Sequence, residues 1–189
     1  MADLGELGDG DLAGLALGGR QAAYRVLLDR HRALVFRIAR HHCGEEEAAL
    51  DITQQAFISA FAALGRYDRA RPFAHWIARI AINKCRDRAR RRRLRAALRL
   101  ARPIEEAIGL GDAAPLPDRQ VADAEELRRT MAAIARLPAR LKEVLVLRAI
   151  EGLSQAETAA VLGISEKAVE TRLYRARKNL VAQLRDGVG

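Results

Sequence analysis

A chain of 189 residues, half of them hydrophobic but only 4% aromatic, holds one ordinary domain or two small ones and is composed for packed helices rather than sheets. Its net charge of +9 and isoelectric point near 10.5 make a polyanion the natural partner, either nucleic acid or an acidic membrane face. Two widely separated cysteines exclude a disulfide framework, the acidic, Gly-rich start is no signal peptide, and no apolar run approaches a membrane span, so a reduced, cytoplasmic protein with no stable membrane insertion is expected.

Proline and glycine punctuate the first hundred residues. Gly18 and Gly19 break a short opening helix over 11–17. Tyr24, Leu27, Leu28, His31, Leu34, Val35 and Ile38 then recur at helical spacing until Gly44, a C-terminal stop. Glu45, Glu46 and Glu47 place negative charge at the next helix N-terminus, where the macrodipole favours it. The buried stripe of that helix is Ile52, Thr53, Ala56, Phe57, Ala60, Phe61 and Leu64, with Gly65 closing it. A short basic loop over 66–72 leads to a helix from about Phe73 that buries Trp76, Ile77, Ile80 and Ala81 before dissolving into a run of arginines.

The stretch "PIEEAIGLGDAAPLPD" from Pro103 has three prolines, two glycines, four acids and no basic residue, so it reads as a tether. The expected fold class is therefore all-α: two small helical domains, 1–100 and 121–189, joined by an acidic Pro/Gly linker over 101–120. In the second domain Pro138 starts a helix whose core face is Leu141, Val144, Leu145 and Ala149. Ser154 and Glu157 form a capping box for the following helix, whose inner face reads as Ala156, Ala159, Ala160 and Leu162. Gly163 ends it in the left-handed conformation and Ser165 caps the last helix two residues later. Two capped helices across a tight glycine turn are the sequence form of a helix-turn-helix.

In the last helix Val169, Leu173, Ala176 and Leu180 point inward. Lys167, Glu170, Thr171, Tyr174, Arg175 and Lys178 are left on outward or flanking faces, an arrangement that suits a major groove. The arginine run Arg86, Arg88, Arg90–Arg93, Arg95 and Arg99 meets only Asp87 in opposition. Its apolar face is mostly alanine with Leu94 and Leu98, too weak for a membrane surface, so phosphate neutralisation with steep salt dependence is favoured. Upstream, Tyr67, Phe73, His75 and Trp76 gather aromatics beside this charge, as single-stranded nucleic acid requires; Trp76 reads as core and Tyr67 as the freer stacking residue. His41, His42 and Cys43 are consecutive on a helix and point about 100° apart, so they read as a structural helix end with no metal. No catalytic constellation, phosphate-binding loop or cofactor motif is visible, and a non-enzyme without cofactors is expected.

The ordered motifs "DITQQAFISAF" (51–61), "RPFAHWIARIAINKCRD" (71–87) and "LPARLKEVLVLRAIEGLSQAETAAVLGISEKAVETRLYRARKNL" (137–180) together resemble a bacterial RNA polymerase sigma factor of the extracytoplasmic-function group. The resemblance implies an alternative sigma factor that binds core RNA polymerase through Asp51, Gln54, Gln55 and Ile58. It implies melting and capture of the minus-ten promoter element by Arg66, Tyr67, Arg71, Arg79, Asn83, Lys84, Arg86 and Arg90, the 66–72 loop taking a flipped base. It assigns the minus-thirty-five element to the helix-turn-helix, through Ser165, Lys167, Glu170, Thr171, Arg172, Tyr174, Arg175 and Lys178. Core polymerase, promoter DNA and an inhibitory anti-sigma factor are the implied partners. A free-standing, dimeric helix-turn-helix regulator is the alternative, and charge alone also fits an RNA-binding or nucleoid-packing protein; neither needs the 51–58 face.

Overall fold

The computed structural model describes residues 3–100 and 118–186, leaving the side chains of 99–100, 118–124 and 186 outside that description. Most of the expected acidic tether thus lies outside the described residues. Among those described there are eight α-helices and no strand. The first four are α1 (Asp9–Leu17), α2 (Gln21–Cys43), α3 (Glu46–Ala62) and α4 (Phe73–Leu100). The second four are α5 (Asp118–Arg136), α6 (Ala139–Leu145), α7 (Gln155–Leu162) and α8 (Glu166–Asp186).

Local chemistry sets the helix ends. Gly44 sits at φ 77°, and its N–H donates to the Arg40 carbonyl at 2.9 Å, closing α2 in the left-handed geometry that only glycine adopts freely. Glu46 and Glu47 occupy the first turn of α3, whose buried face is Ile52, Thr53, Ala56, Phe57 and Ala60, as the periodicity predicts. That helix stops at Ala62, ahead of Gly65, and a 3-10 turn over Leu64–Arg66 tucks Leu64 back into the core. α4 does not dissolve at the arginines. It continues as one helix to Leu100, because Arg, Ala and Leu are all strong helix formers. Residues 90–98 are exposed throughout, so the arginine run stands out as a helical rod.

The second bundle departs from its sequence reading at one point with consequences downstream. Pro138 takes the N-cap rather than the first turn of α6, and the helix then widens into a π turn over Val146–Ile150, where Glu151 N–H donates to the Val146 carbonyl at 3.0 Å. The widened turn shifts the helical phase, so Val146 and Leu147 enter the core and Ala149, expected inside, is exposed. In α7 the capping box forms as expected, but Ala156 and Ala160 are exposed and Leu162 is only half-buried. The buried residues are Thr158, Ala159 and Val161, because α7 faces two neighbours: Ala159 packs with Val144 and Val169, and Val161 joins the main core.

That main core runs through both bundles. Leu27, Ile38, Phe57, Phe73 and Ile77 from the first pack continuously with Ile134, Leu137, Leu145, Leu147 and Val161 from the second. Two forked ion pairs cross the same junction. Arg86 on α4 donates Nε and Nη2 to Glu143 on α6 at 2.7 and 2.6 Å, and the Glu143 side chain is 0% exposed. Arg37 on α2 reaches Glu151 with its shortest contact at 2.6 Å, and that carboxylate is 2% exposed. Between them Lys142 donates Nζ to the carbonyls of His42 at 3.0 Å and Ala135 at 2.5 Å. Removing one member of a buried pair strands the other at a cost of about 3–5 kcal/mol. Arg86→Ala is therefore expected to undock the second bundle, read as a longer interdomain distance between fluorophores on α1 and α8, whereas combining it with Glu143→Leu restores much of the docking.

Candidate nucleic-acid interface

The exposed face of α8 is built by its opposite face. Val169 is fully buried against Val144 of α6 and Ala159 of α7, and Ala176 is fully buried in the main core, so the intervening positions turn outward as a set. Gly163 at φ 66° makes the turn from α7, and Ser165 Oγ accepts the Ala168 N–H at 3.2 Å to start α8. Ser165, Lys167, Glu170, Thr171, Tyr174, Arg175 and Lys178 are all exposed, Tyr174 to 70%, and Arg172 is half-buried at the edge. Lys167 pairs with Glu170 at 2.9 Å, and Thr171 Oγ1 donates to the Lys167 carbonyl at 2.9 Å. Both contacts are exposed and weak, so a nucleic acid can displace them.

A second surface lies on α4 and the loop before it. Arg66, Arg71, Arg79, Asn83, Arg86 and Arg90 are exposed and Lys84 is half-buried. Tyr67 differs from expectation. It is only 7% exposed, its hydroxyl donates to the Arg71 carbonyl at 2.5 Å, and its ring lies edge-on to Phe73 and against Trp76. The ring that reads as the freer one in sequence is thus the anchor of the loop, while Trp76, expected in the core, is half-buried. Behind the loop, α1 comes close: a Cβ on Gly10 would stand 2.8 Å from the Arg69 carbonyl, and one on Gly14 would stand 2.7 Å from the Arg69 guanidinium. These two glycines let the loop lie on α1, a constraint that the sequence reading missed.

The third surface divides what the sequence groups together. Gln54 and Ile58 line an apolar groove of about 690 Å³ between α2 and α3, with Phe36, Leu50, Phe57 and Phe61. Ile58 is 61% exposed there and Leu50 56%, so the groove carries two open aliphatic side chains. Asp51 and Gln55 instead turn toward α4, where they line a basic groove with Lys84, Arg88, Arg91, Arg92 and Arg95. Gln55 Nε2 donates to Asp51 Oδ1 at 2.8 Å, and Arg88 approaches Asp51 at 3.7 Å.

The docking of the two bundles bears on the second surface. Arg86 is held by Glu143 and also donates to Asn83 Oδ1 at 3.3 Å, His75 stands 3.5 Å from Glu157, and the Arg79 guanidinium lies 3.6 Å from where a Gly163 Cβ would be. Part of the α4 face is therefore covered by α6 and by the helix-turn-helix.

Comparison with known proteins places the chain in a family. The model of sigma-70 region 2 matches residues 27–95, and that of sigma-70 region 4 matches residues 127–180. The RNA polymerase sigma factor CnrH of Cupriavidus metallidurans is 42% identical over 176 residues, 92% of each chain. NccH of Alcaligenes xylosoxydans xylosoxydans is 39% identical over 93% of this chain and 94% of its own. The extracytoplasmic-function factor SigW of Bacillus subtilis is 30% identical over 89% and 92%. The chain belongs to the extracytoplasmic-function sigma factors. Among solved structures, CnrH with the cytosolic domain of CnrY superposes with a TM-score of 0.68 at 36% identity, covering 94% of this chain and 97% of that one. RpoE of Bartonella quintana shares the fold, with a TM-score of 0.67 at 21% identity over 86% of this chain and 96% of that one.

As a sigma factor the protein is a non-catalytic specificity subunit that directs core RNA polymerase to particular promoters, with the helix-turn-helix in promoter recognition. No helix among the described residues is long and apolar enough to cross a membrane. Among them no group of three or more His, Cys, Asp or Glu side chains could hold a metal ion. The His41-His42-Cys43 corner has a structural part instead. His42 Nε2 and His41 Nδ1 are enclosed without partners, and burial, with Lys142 and Arg86 adding to it, pushes His42 down to about 3. His41 is lowered too, mainly by burial.

A folded-state value below the unfolded one means that the unfolded chain binds more protons between the two. Stability is thus held above the ordinary histidine value of 6.5 and falls as pH drops from there toward about 3. His42→Gln is expected to flatten this acid limb in thermal melts between pH 7 and about 4, a range set by the histidine value.

Proposed function

We propose that the sigma factor divides its work between residues 1–100 and 121–189, with the 101–120 segment as tether. The second unit reads the minus-thirty-five duplex through Ser165, Lys167, Glu170, Thr171, Arg172, Tyr174, Arg175 and Lys178. The observation that carries this reading is the α8 face, where seven polar or aromatic side chains stand outward opposite the buried Val169 and Ala176. Such a face enters a major groove with its first turns at base edges and its basic flank on phosphates. Glu170 suits cytosine N4 as an acceptor, and Arg175 suits a guanine edge.

The first unit captures the opened minus-ten strand with Arg66, Arg71, Arg79, Asn83, Lys84, Arg86 and Arg90. Tyr67 supports this role by anchoring the loop against Phe73 and Trp76, and stacks on a flipped base only when it leaves that pocket. Arg86 cannot neutralise a phosphate while it holds Glu143, so strand capture and docking compete for one guanidinium. Gln54 and Ile58, with the apolar groove, dock on core polymerase, and Asp51 and Gln55 contribute polar contacts from the neighbouring groove. An inhibitory anti-sigma factor is the further partner. Support comes from CnrH, whose structure contains the cytosolic domain of CnrY, and from the exposed Leu50 and Ile58.

Run-off transcription with bacterial core polymerase on a promoter-fragment library tests the reading. Initiation that appears only with the protein is expected; dimeric duplex binding with no initiation would replace it with a free-standing regulator. On the promoter so found, Arg175→Ala is expected to lower initiation roughly tenfold to a hundredfold, the loss of about 1–3 kcal/mol that one base-edge contact supplies. Lys178→Ala should weaken binding evenly across sequences and reduce the salt slope by about one. Ile58→Asp is expected to abolish co-elution with core polymerase while leaving the thermal melt nearly unchanged.

A further inference from the structure

Cys43 and Cys85 are separated by 41 residues of chain, and nothing in promoter recognition requires a thiol at either position. The fold brings them together. Cys43 is the last residue of α2 and packs against Cys85 of α4 in a small apolar cluster with Phe36, Ala39, Ala49 and Ile52. Cys85 is buried and Cys43 half-buried, so one thiol is reachable from solvent and the other stands behind it. Both line a cavity of about 460 Å³ where α2 and α4 meet the α5–α6 corner. Its rim carries Arg86, Arg88, Arg92 and Arg93, and Lys142 stands at its wall.

We propose that Cys43 and Cys85 form a reversible dithiol switch, oxidised to a disulfide by a hydroperoxide entering this cavity, and that the oxidised form releases the second bundle. The chemistry is a two-electron oxidation. The Cys43 thiolate attacks one peroxide oxygen, the O–O bond breaks, and the departing oxygen takes a proton to leave as water or an alcohol. Cys43 is then a sulfenic acid. The Cys85 sulfur attacks the Cys43 sulfur, the S–O bond breaks, and water leaves carrying the Cys85 proton. Two thiols and one hydroperoxide thus give one disulfide, one water and one water or alcohol, and a dithiol reductant reverses it.

The surroundings assign the two roles. The neighbouring Cys85 thiol, with Arg88 and Lys142 nearby, lowers the Cys43 thiol below its usual range against opposition from burial and Glu45. Cys85 is held in its protonated form by Cys43 and by burial, with Glu143 adding to the effect and Lys142 opposing it. A thiolate at a helix C-terminus meets an unfavourable dipole, worth about 0.3–1 kcal/mol. Here cations stand at that terminus: Lys142 takes the His42 carbonyl, and the Arg40 side chain takes that of Gly44. Accessible thiolate in front of a buried thiol, beneath fixed cations, is the arrangement of a redox-sensing pair.

The link to docking runs through Lys142. Its ammonium is buried at the junction, and burial lowers its pKa while the Cys43–Cys85 pair and the Glu143 carboxylate support its charge. Disulfide formation removes the thiolate and leaves the ammonium with two carbonyls and the Glu143 carboxylate that Arg86 already holds. It also draws α2 and α4 together to the Cβ spacing of about 3.8 Å that a disulfide demands. Both changes fall beneath α6, one residue from Glu143.

The test uses the full chain alone, so its outcome is independent of polymerase and promoter. The protein is treated with hydrogen peroxide, blocked with an alkylating agent without reductant, digested and examined by mass spectrometry. Interdomain distance is followed by fluorescence transfer between labels on α1 and α8. The expected result is a single intramolecular Cys43–Cys85 cross-link, a fall in transfer efficiency, and reversal of both by dithiothreitol. Cys43→Ser, at the half-buried position, should lose both responses; Cys85→Ala should stop at a Cys43 sulfenic acid that a dimedone probe traps. Absence of the cross-link, or cross-links only between molecules, overturns the switch. A cross-link that leaves the interdomain distance unchanged overturns its coupling to docking.

Discussion

A carboxylate taken wholly out of water must be answered by a cation, and here the cation belongs to the other bundle. Glu143 has no exposed surface, and the guanidinium that satisfies it comes from Arg86, more than fifty positions earlier in the chain. Desolvating such a pair gives little net stability when it is well made, but losing one partner is expensive. The pair therefore acts less as glue than as a registration device. It admits one seating of α6 on α4, and Arg37 with Glu151 repeats the condition at the far end of the π turn.

The seating explains the rest of the arrangement. With α6 fixed on α4, the shared apolar core closes through Leu145, Leu147 and Val161, and α7 is pressed toward the N-terminal half of α4. The face of α8 that would meet duplex stays open, as does the α2–α3 groove with Ile58. The α4 face is the one that is partly covered. In this seating the α8 face and the α2–α3 groove stand open while Arg86 is engaged by Glu143. Surface charge pairs cannot enforce such a state, because water and salt screen them. Buried ones can.

Much of this was legible in the sequence, and what was not has physical reasons. Glycine and capping residues act within a few positions, so Gly44, the Ser154–Glu157 box and Gly163 announce their turns directly. Amphipathic stripes such as Ile52–Phe57 and Val169–Ala176 also show, because their neighbours lie on one side of the helix. The failures fall where an element's neighbours are spread around it or absent. α7 touches both bundles, and its alanines mislead. The arginine rod touches little, and intrinsic propensity alone carries it to Leu100. Tyr67 looks free because loops usually are, but it folds back on Phe73 and Trp76. The splitting of Asp51 and Gln55 from Gln54 and Ile58 follows from the path of α4, which no periodicity in α3 encodes. A signal for the docking was present in "LKEVL": two adjacent charges on the stretch of a seven-residue helix that is buried. Such a pattern asks for distant partners without naming them.

The widened turn over Val146–Ile150 has a bearing on how these two helical units can be recombined. One additional residue in a helical path rotates everything beyond it by about 100°. The helix-turn-helix beyond the turn is therefore indexed to α6 by an angular offset, not only by the contacts it makes. A transplant of the DNA-reading helices into another sigma factor would keep its aim only if the cut were made ahead of Val146, carrying the offset with the module. A single-residue deletion inside the turn would leave each helix intact and point the reading face at the wrong quarter of the duplex.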